Sequence, residues 1–458
     1  MRLGADNAPR HPAAGWRNKA ALFVVFPVAL ALMLGVVRLW IGPAGGQTNF
    51  VEAYRYRFER SPRGAVRQAL ESEIAFYQER LSRDPASGLN LAALAGTYLK
   101  MARATGDLTW LLLAEQTAQR SLASLPFQNS GALLVLARVV EARHDFAEAI
   151  RLAKQSGGID GLAIEITSTL AVGKVGDASQ AADRLVRTQP GLGSFTLRAL
   201  VRIAQGEDDE AAADLHRAIA SEEPGEVASS AWARTLLGRL HNQRGQLQEA
   251  RRLYVEALRI LPQYPLALLH LAELEMRLKQ YRAAEDHLTQ VVNITRASPN
   301  VYDHAVLRGL ARVKDLQGDR SGAARFWDEA ETRLRQDVAS GQFGHRRELA
   351  RLLLERGRHE DLSEALRLME AEVRVRRDAD TLYVLAWALS ENGRWLEARE
   401  AMREALRWGV RDARLYYRAA IIEQALGNRA AAVTYKALAM QADPTFDEHA
   451  RRLAGLGL

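Results

Sequence analysis

Apolar residues recur along most of this chain at every third or fourth position, the spacing of one face of a helix, in stretches too short to share one core. Over 61–84, Val66, Leu70, Ile74, Tyr77 and Leu81 fall on one stripe, opened by Pro62 and closed by Asp84 and Pro85, which predicts a single amphipathic helix. From about residue 88 onward the stripes come in pairs, with a glycine between the two members and a polar turn after the second. One segment breaks the pattern: residues 20–41 form a 22-residue apolar run whose single charge is Arg38. That length matches the roughly 20 residues a helix needs to cross a bilayer.

The sharpest pair occupies 231–262, where Leu237-Gly238 is followed by Gly245, Ala250, Tyr254, Ala257 and Pro262. Small residues at 238, 250 and 257 let two helices approach, Gly245 supplies an unusual turn conformation, and Pro262 stops the second helix. The small position after the leucine recurs at Gly238, Ala272, Ala311, Ala350, Ala386 and Ala420, at intervals of 34, 39, 39, 36 and 34. The second-helix alanine keeps step at Ala250, Ala284, Ala323, Ala365, Ala398 and Ala432. The turn glycine does so at Gly245, Gly318, Gly357, Gly393 and Gly427, with Lys279 in its place once. Upstream the units are weaker: one has an enlarged turn at Gly106, one carries Ala137 and Ala149, and two shorter ones hold Gly176 with Ala181 and Gly206 with Ala211. His144, Thr169 and Glu372 depart from the pattern.

These residues and spacings resemble the tetratricopeptide repeat, a helix-turn-helix unit of 34 residues. The resemblance implies an all-α, right-handed α-solenoid of about ten helix pairs over 88–446, preceded by one transmembrane helix. Residues 61–87 are then a capping helix for the first repeat, and 447–458 a C-terminal cap.

The apolar run gives the chain an expected bilayer contact through residues 20–41, with Arg38 and Trp40 at the interface. Arg10, Arg17 and Lys19 precede it, while the next basic residues after Arg38 are Arg55, Arg57 and Arg60. The positive-inside tendency therefore puts the tail 1–19 in the cytoplasm of a bacterial-type cell and the array beyond its inner membrane, on a tether over 42–60. A cleaved signal peptide is the competing reading, for which Gly42-Pro43-Ala44 offers a poor cleavage site.

Composition narrows the chemistry. With no cysteine there are no disulfides, thiol nucleophiles or thiolate metal sites. The net charge of +7 falls largely in the first 46 residues, so nucleic acid is not an expected partner. No phosphate loop, dinucleotide fingerprint, nucleophile elbow or His-Glu-x-x-His pair is present, and the repeats leave no room for a catalytic domain. No cofactor or metal is expected, and the chain reads as a non-enzyme. The run at 207–210 is an acidic helix start.

The first helix of each tetratricopeptide pair lines the concave face, where extended peptides bind. Taking the positions flanking the small residue as groove-facing gives Arg239, Arg308 with Arg312, Arg347 with Arg351, Tyr383 with Trp387, and Tyr417. A basic band would run into an aromatic one, suited to an acidic extended peptide held by guanidinium forks. The expectation is a membrane-anchored scaffold for protein segments of unknown identity. The alternative is a polymer-handling part of an envelope or exopolysaccharide-export system, with the aromatic residues stacking on sugars.

Overall fold

The computed structural model describes residues 52–60, 62, 64–295, 300–341 and 344–453. The tail 1–19, the apolar run 20–41, the first part of the tether and residues 454–458 lie outside the described residues. Among those described, no helix is long and apolar enough to cross a membrane. Met1–Arg55 and Tyr56–Leu458 are separate units. Of the first, Glu52 to Arg55 form one turn, closed by the Arg55 N–H on the Glu52 carbonyl at 3.4 Å.

In the second unit 22 helices and no strand are described. Helix α1 (Ala65–Arg83) precedes ten antiparallel pairs: α2 (Gly88–Thr105) with α3 (Leu108–Ser124), α4 (Ser130–Ala142) with α5 (Phe146–Ser156), α6 (Gly158–Ala171) with α7 (Val175–Thr188), and α8 (Leu192–Gln205) with α9 (Asp208–Ala220). There follow α10 (Val227–Gln243) with α11 (Leu247–Ile260), α12 (Pro265–Arg277) with α13 (Tyr281–Thr295), and α14 (Asp303–Gln317) with α15 (Arg320–Ser340). The last three pairs are α16 (Arg346–Arg356) with α17 (Leu362–Glu372), α18 (Ala379–Glu391) with α19 (Trp395–Leu406), and α20 (Ala413–Ala425) with α21 (Arg429–Ala442). Helix α22 (Glu448–Leu453) follows them.

The small residues act where the pattern puts them. Ala272, Ala311, Ala350, Ala386 and Ala420 are fully buried, as are Ala250, Ala284, Ala365 and Ala398. At Gly238 the approach is so close that a Cβ would lie 2.6 Å from the Tyr254 ring, itself fully buried. Each pair then turns through a left-handed residue, and Asp or Asn often follows to cap the next helix. Asp319 accepts from the Gly322 N–H at 2.8 Å, and Asp145 from that of Glu148 at 3.2 Å. Where glycine is missing the conformation persists, with Lys279 at φ 60° and His144 at φ 63°. In the third pair Gly173 makes the turn, at φ 76°, and Gly176 lies inside α7, which moves that unit's boundary from its expected place.

The array curls until its turns stack. The turn of the first pair meets the loop after the sixth, where the Val301 N–H donates to the Gly106 carbonyl at 3.1 Å. His144, in the second turn, packs on Gly344 in the loop after the seventh pair and lies 3.3 Å from the Glu372 carboxylate. The Arg377 N–H, after the eighth pair, donates to the Ala171 carbonyl at 2.8 Å, beside Gly173. Gly206 lies on Gly409 after the ninth, and Gly245 on Asp443 after the tenth. One superhelical turn thus closes in between five and six pairs. A cavity of about 250 Å³ remains between the turns, lined by Leu170, Val175, Leu200, Leu382 and Trp408.

Candidate interaction surface

Helices α10, α12, α14, α16, α18 and α20 are the first members of their pairs, and the tight curl brings their inner faces within electrostatic reach of one another. Asp380 on α18 is held far below the usual carboxylate range: burial pushes it up, and Arg414, Arg347, Arg239 and Arg351 together outweigh that. Burial likewise raises Glu273 on α12, but His270, Arg414 and Arg312 bring it down to about 2. One neighbourhood therefore gathers side chains from six helices.

The expected basic band is present, with a correction. Arg308 is fully buried and Arg312 and Arg351 nearly so, and all three converge on one carboxylate. Glu355 accepts from Arg308 Nη2 at 2.7 Å, Arg312 Nη2 at 2.6 Å and Arg351 Nε at 3.1 Å. Burial raises the Glu355 carboxyl, and these guanidiniums outweigh it and hold it at about 2. Desolvation in turn lowers Arg308 and Arg351 from the ordinary arginine range. Arg347 forks onto the Glu348 Oε1 at 3.0 and 2.7 Å and lies 3.6 Å from Asp378. The band is thus an internally compensated ionic layer rather than an open cationic stripe. Its cause is the curl, which removes these groups from water unless each finds a counter-charge.

The aromatic end is also partly closed. Tyr383 is 8% exposed, with the Arg414 and Arg418 guanidiniums 6.0 and 5.9 Å from its ring centre, so it is no open platform for a sugar. Trp387 is half-buried, lies 4.8 Å under Arg418 and donates to Glu391 Oε1 at 3.0 Å. Tyr417 meets Phe446 edge-on at 6.1 Å and carries the Arg451 guanidinium 4.8 Å above its ring. Arg239 is half-buried beside the Tyr254 and Asp380 side chains it acts on.

The acidic members Glu273, Glu348, Glu355, Asp378, Asp380 and Asp412 belong to this surface and were missed by position counting. Glu355, four residues after Arg351, had a local signal. Asp412, which accepts from Arg414 Nη2 at 2.6 Å, had only two residues' separation to suggest it. His304 stands in the same layer, 5.1 Å from His345, and burial lowers its imidazole to about 3.

Residues 242–303 match the model of the tetratricopeptide repeat family. This stretch is tetratricopeptide-repeat sequence. It covers α11, α12 and α13, and with them the start of the ionic layer. No curated protein matches the chain. Among solved structures, the crystal structure of MamA is similar at 14% identity over 36% of this chain and 92% of that one, with a TM-score of 0.31. A tetratricopeptide repeat protein from Parabacteroides merdae is 16% identical over 59% of this chain and 98% of its own, at 0.36. Yeast Tom70 is 12% identical over 84% and 91%, at 0.35. Outside that stretch the described residues form helix pairs of the same antiparallel kind.

Proposed function

We propose that this chain is a scaffold that holds protein segments on the inner face of its tetratricopeptide array and transforms none of them. The convergence of six first helices on one layer of guanidinium, carboxylate and aromatic groups supports this reading. Neighbouring repeats build such a face from side chains that vary without disturbing the fold. Ligand exchange there would be governed by matched charge and shape, because every cation already has a carboxylate nearby. Trp387 and Arg239 are both half-buried and so within reach of a partner. Co-purification tests this: a protein captured by the wild-type chain should be lost with Trp387→Ala and Arg239→Glu and retained with Leu396→Ser, a residue 65% exposed outside this layer. Loss with all three, or with none, contradicts the proposal.

The scaffold is further proposed to be tethered to a bilayer through residues 20–41, with the array on the far side of a bacterial-type inner membrane. The length of that run, with Arg38 near its end as its single charge, and the basic residues before it support the anchor and its direction. Removing residues 1–46 should release the array from the membrane fraction with its helicity intact, and retention in membranes contradicts the anchor.

A further inference from the structure

Within the array the outward side of a second helix is covered by the first helix of the next pair, and the cover is partly ionic. The residue after the second-helix alanine shows this. Arg251 on α11 lies 3.9 Å from Glu275 on α12, Glu285 on α13 lies 2.6 Å from Lys314 on α14, and Arg399 on α19 donates to Glu423 on α20 at 3.0 Å. Four and seven residues beyond Arg251, Val255 and Leu258 pack with Leu271 and Leu274 of α12.

On α21 the same three positions are Val433, Ala437 and Met440, at i, i+4 and i+7 on one helix face. All three are exposed, Val433 at 66% and Met440 at 49%. The described residues that follow leave them so: Phe446 is buried against Tyr417 on α20, and His449 Nε2 lies 2.9 Å from the Met276 carbonyl on α12. The chain after α21 therefore turns toward the inner side. Helix α1, at the other end, is finished differently, with Arg67 paired to Glu71 at 2.8 Å and Arg83 paired to Glu79 on its exposed side. A terminal repeat in water needs a polar outer face, and α21 lacks one.

We propose that the outward face of α21 is a dimer interface, occupied by α21 of a second copy of this chain about a twofold axis near Ala437. Antiparallel pairing about that axis sets Val433 of one copy beside Met440 of the other, and the small Ala437 lets the helices approach. The face suits itself better than another first helix, because its three positions offer no charge to answer a group standing where Glu275, Lys314 or Glu423 stands. The two charges of α21 do not oppose the pairing. Lys436 Nζ is drawn aside to Gln424 Oε1 on α20 at 3.0 Å, and Arg429 at the helix start falls beside the negative end of the second copy's helix. A contact of one helix per copy lies at the small end of specific interfaces, so the dimer should dissociate on dilution. The proposal goes beyond the scaffold reading and does not depend on it. Crosslinks from Val433 then join two copies of this chain rather than an inner-face partner.

The chain contains no cysteine, so single introduced cysteines report the interface without background. Under mild oxidation in detergent, the full chain with Ala437→Cys should form a disulfide-linked dimer, while Leu89→Cys, at a residue 72% exposed on the first pair, should not. In sedimentation over a concentration series, Val433→Glu with Met440→Glu should raise the dimer dissociation constant at least about tenfold. Both positions are exposed, so these changes leave the core intact, which an unchanged helical circular dichroism verifies. Linkage at Ala437→Cys no greater than at Leu89→Cys overturns the proposal. So does a wild-type chain that sediments as a monomer throughout the series, or self-association that the two glutamates leave unchanged. Linkage of a different protein at Ala437→Cys, in place of a second copy, overturns it as well.

Discussion

Gly206 and Gly409 meet backbone to backbone across two stacked superhelical turns, so closely that a Cβ on residue 206 would overlap the Gly409 carbonyl. Gly393 makes the same kind of left-handed turn, at φ 74°, with nothing within 4 Å of its hypothetical Cβ. The two glycines separate the conformational need of a repeat turn from the steric need of stacking.

Gly393→Ala should destabilise the array by about 1 kcal/mol, the strain of an alanine in the left-handed region. Gly206→Ala adds a clash between turns and should cost roughly 2–4 kcal/mol. Urea unfolding followed by circular dichroism compares them, and equal losses would mean that the turns do not stack as described.

Lys279 is exposed and holds φ 60° where every other repeat but the second, which has His144, places glycine. Lys279→Gly should stabilise the chain by about 1 kcal/mol in the same unfolding assay. A destabilised variant would show that the lysine does something other than occupy a strained turn.

Glu355, held at about 2 by burial-opposing guanidiniums, ties pH to stability. Its unfolded-state value is about 4.3. Because the folded value is the lower, its stabilising contribution is present above the unfolded value and disappears as pH falls toward 2. Wild type should lose more stability between pH 5 and 2.5 than Glu355→Gln does. At neutral pH the same substitution should cost roughly 3 kcal/mol or more, since three buried guanidiniums lose their common counter-charge.

His304 works over a higher range. Burial lowers its folded value to about 3 from the ordinary 6.5, so the unfolded chain binds the proton first as pH falls. Its contribution is complete above about pH 6.5 and declines steadily below it. His304→Asn should flatten that part of the stability profile between pH 6.5 and 4. His345 runs the other way: burial lowers it, but Asp337 and neighbouring carboxylates raise it overall. The stability it adds therefore grows as pH falls toward 6.5 and is constant below. His345→Asn should remove that gain and leave the slope between pH 6.5 and 4 unchanged, and an identical response from both variants would contradict the assignment.

Much of the fold was legible because the repeat's demands are local. Two helices in contact require small residues at 250, 284 and 398, and a left-handed turn requires Gly245 or Gly427, whatever lies elsewhere. What spacing could not reveal was the curl, which depends on summed rotations between pairs and brings Gly206 to Gly409 and Ala171 to Arg377. The arginines and aromatic residues chosen by register do lie on the first helices, since that register follows from the small position. Their burial and their pairing were not legible, because Arg308 and Glu355 meet across separate helices. The burial of Phe446 and Leu453 was not legible either, since spacing marked that stretch only as a cap.

Site-specific photocrosslinking in living cells tests most directly whether partners are held on the inner face. A photoreactive residue at Trp387 or Arg239 should crosslink the same discrete protein, while one at Leu396 or Val433, both strongly exposed outside the ionic layer, should not. Crosslinks confined to Leu396 and Val433, or none from the inner positions, would contradict the account.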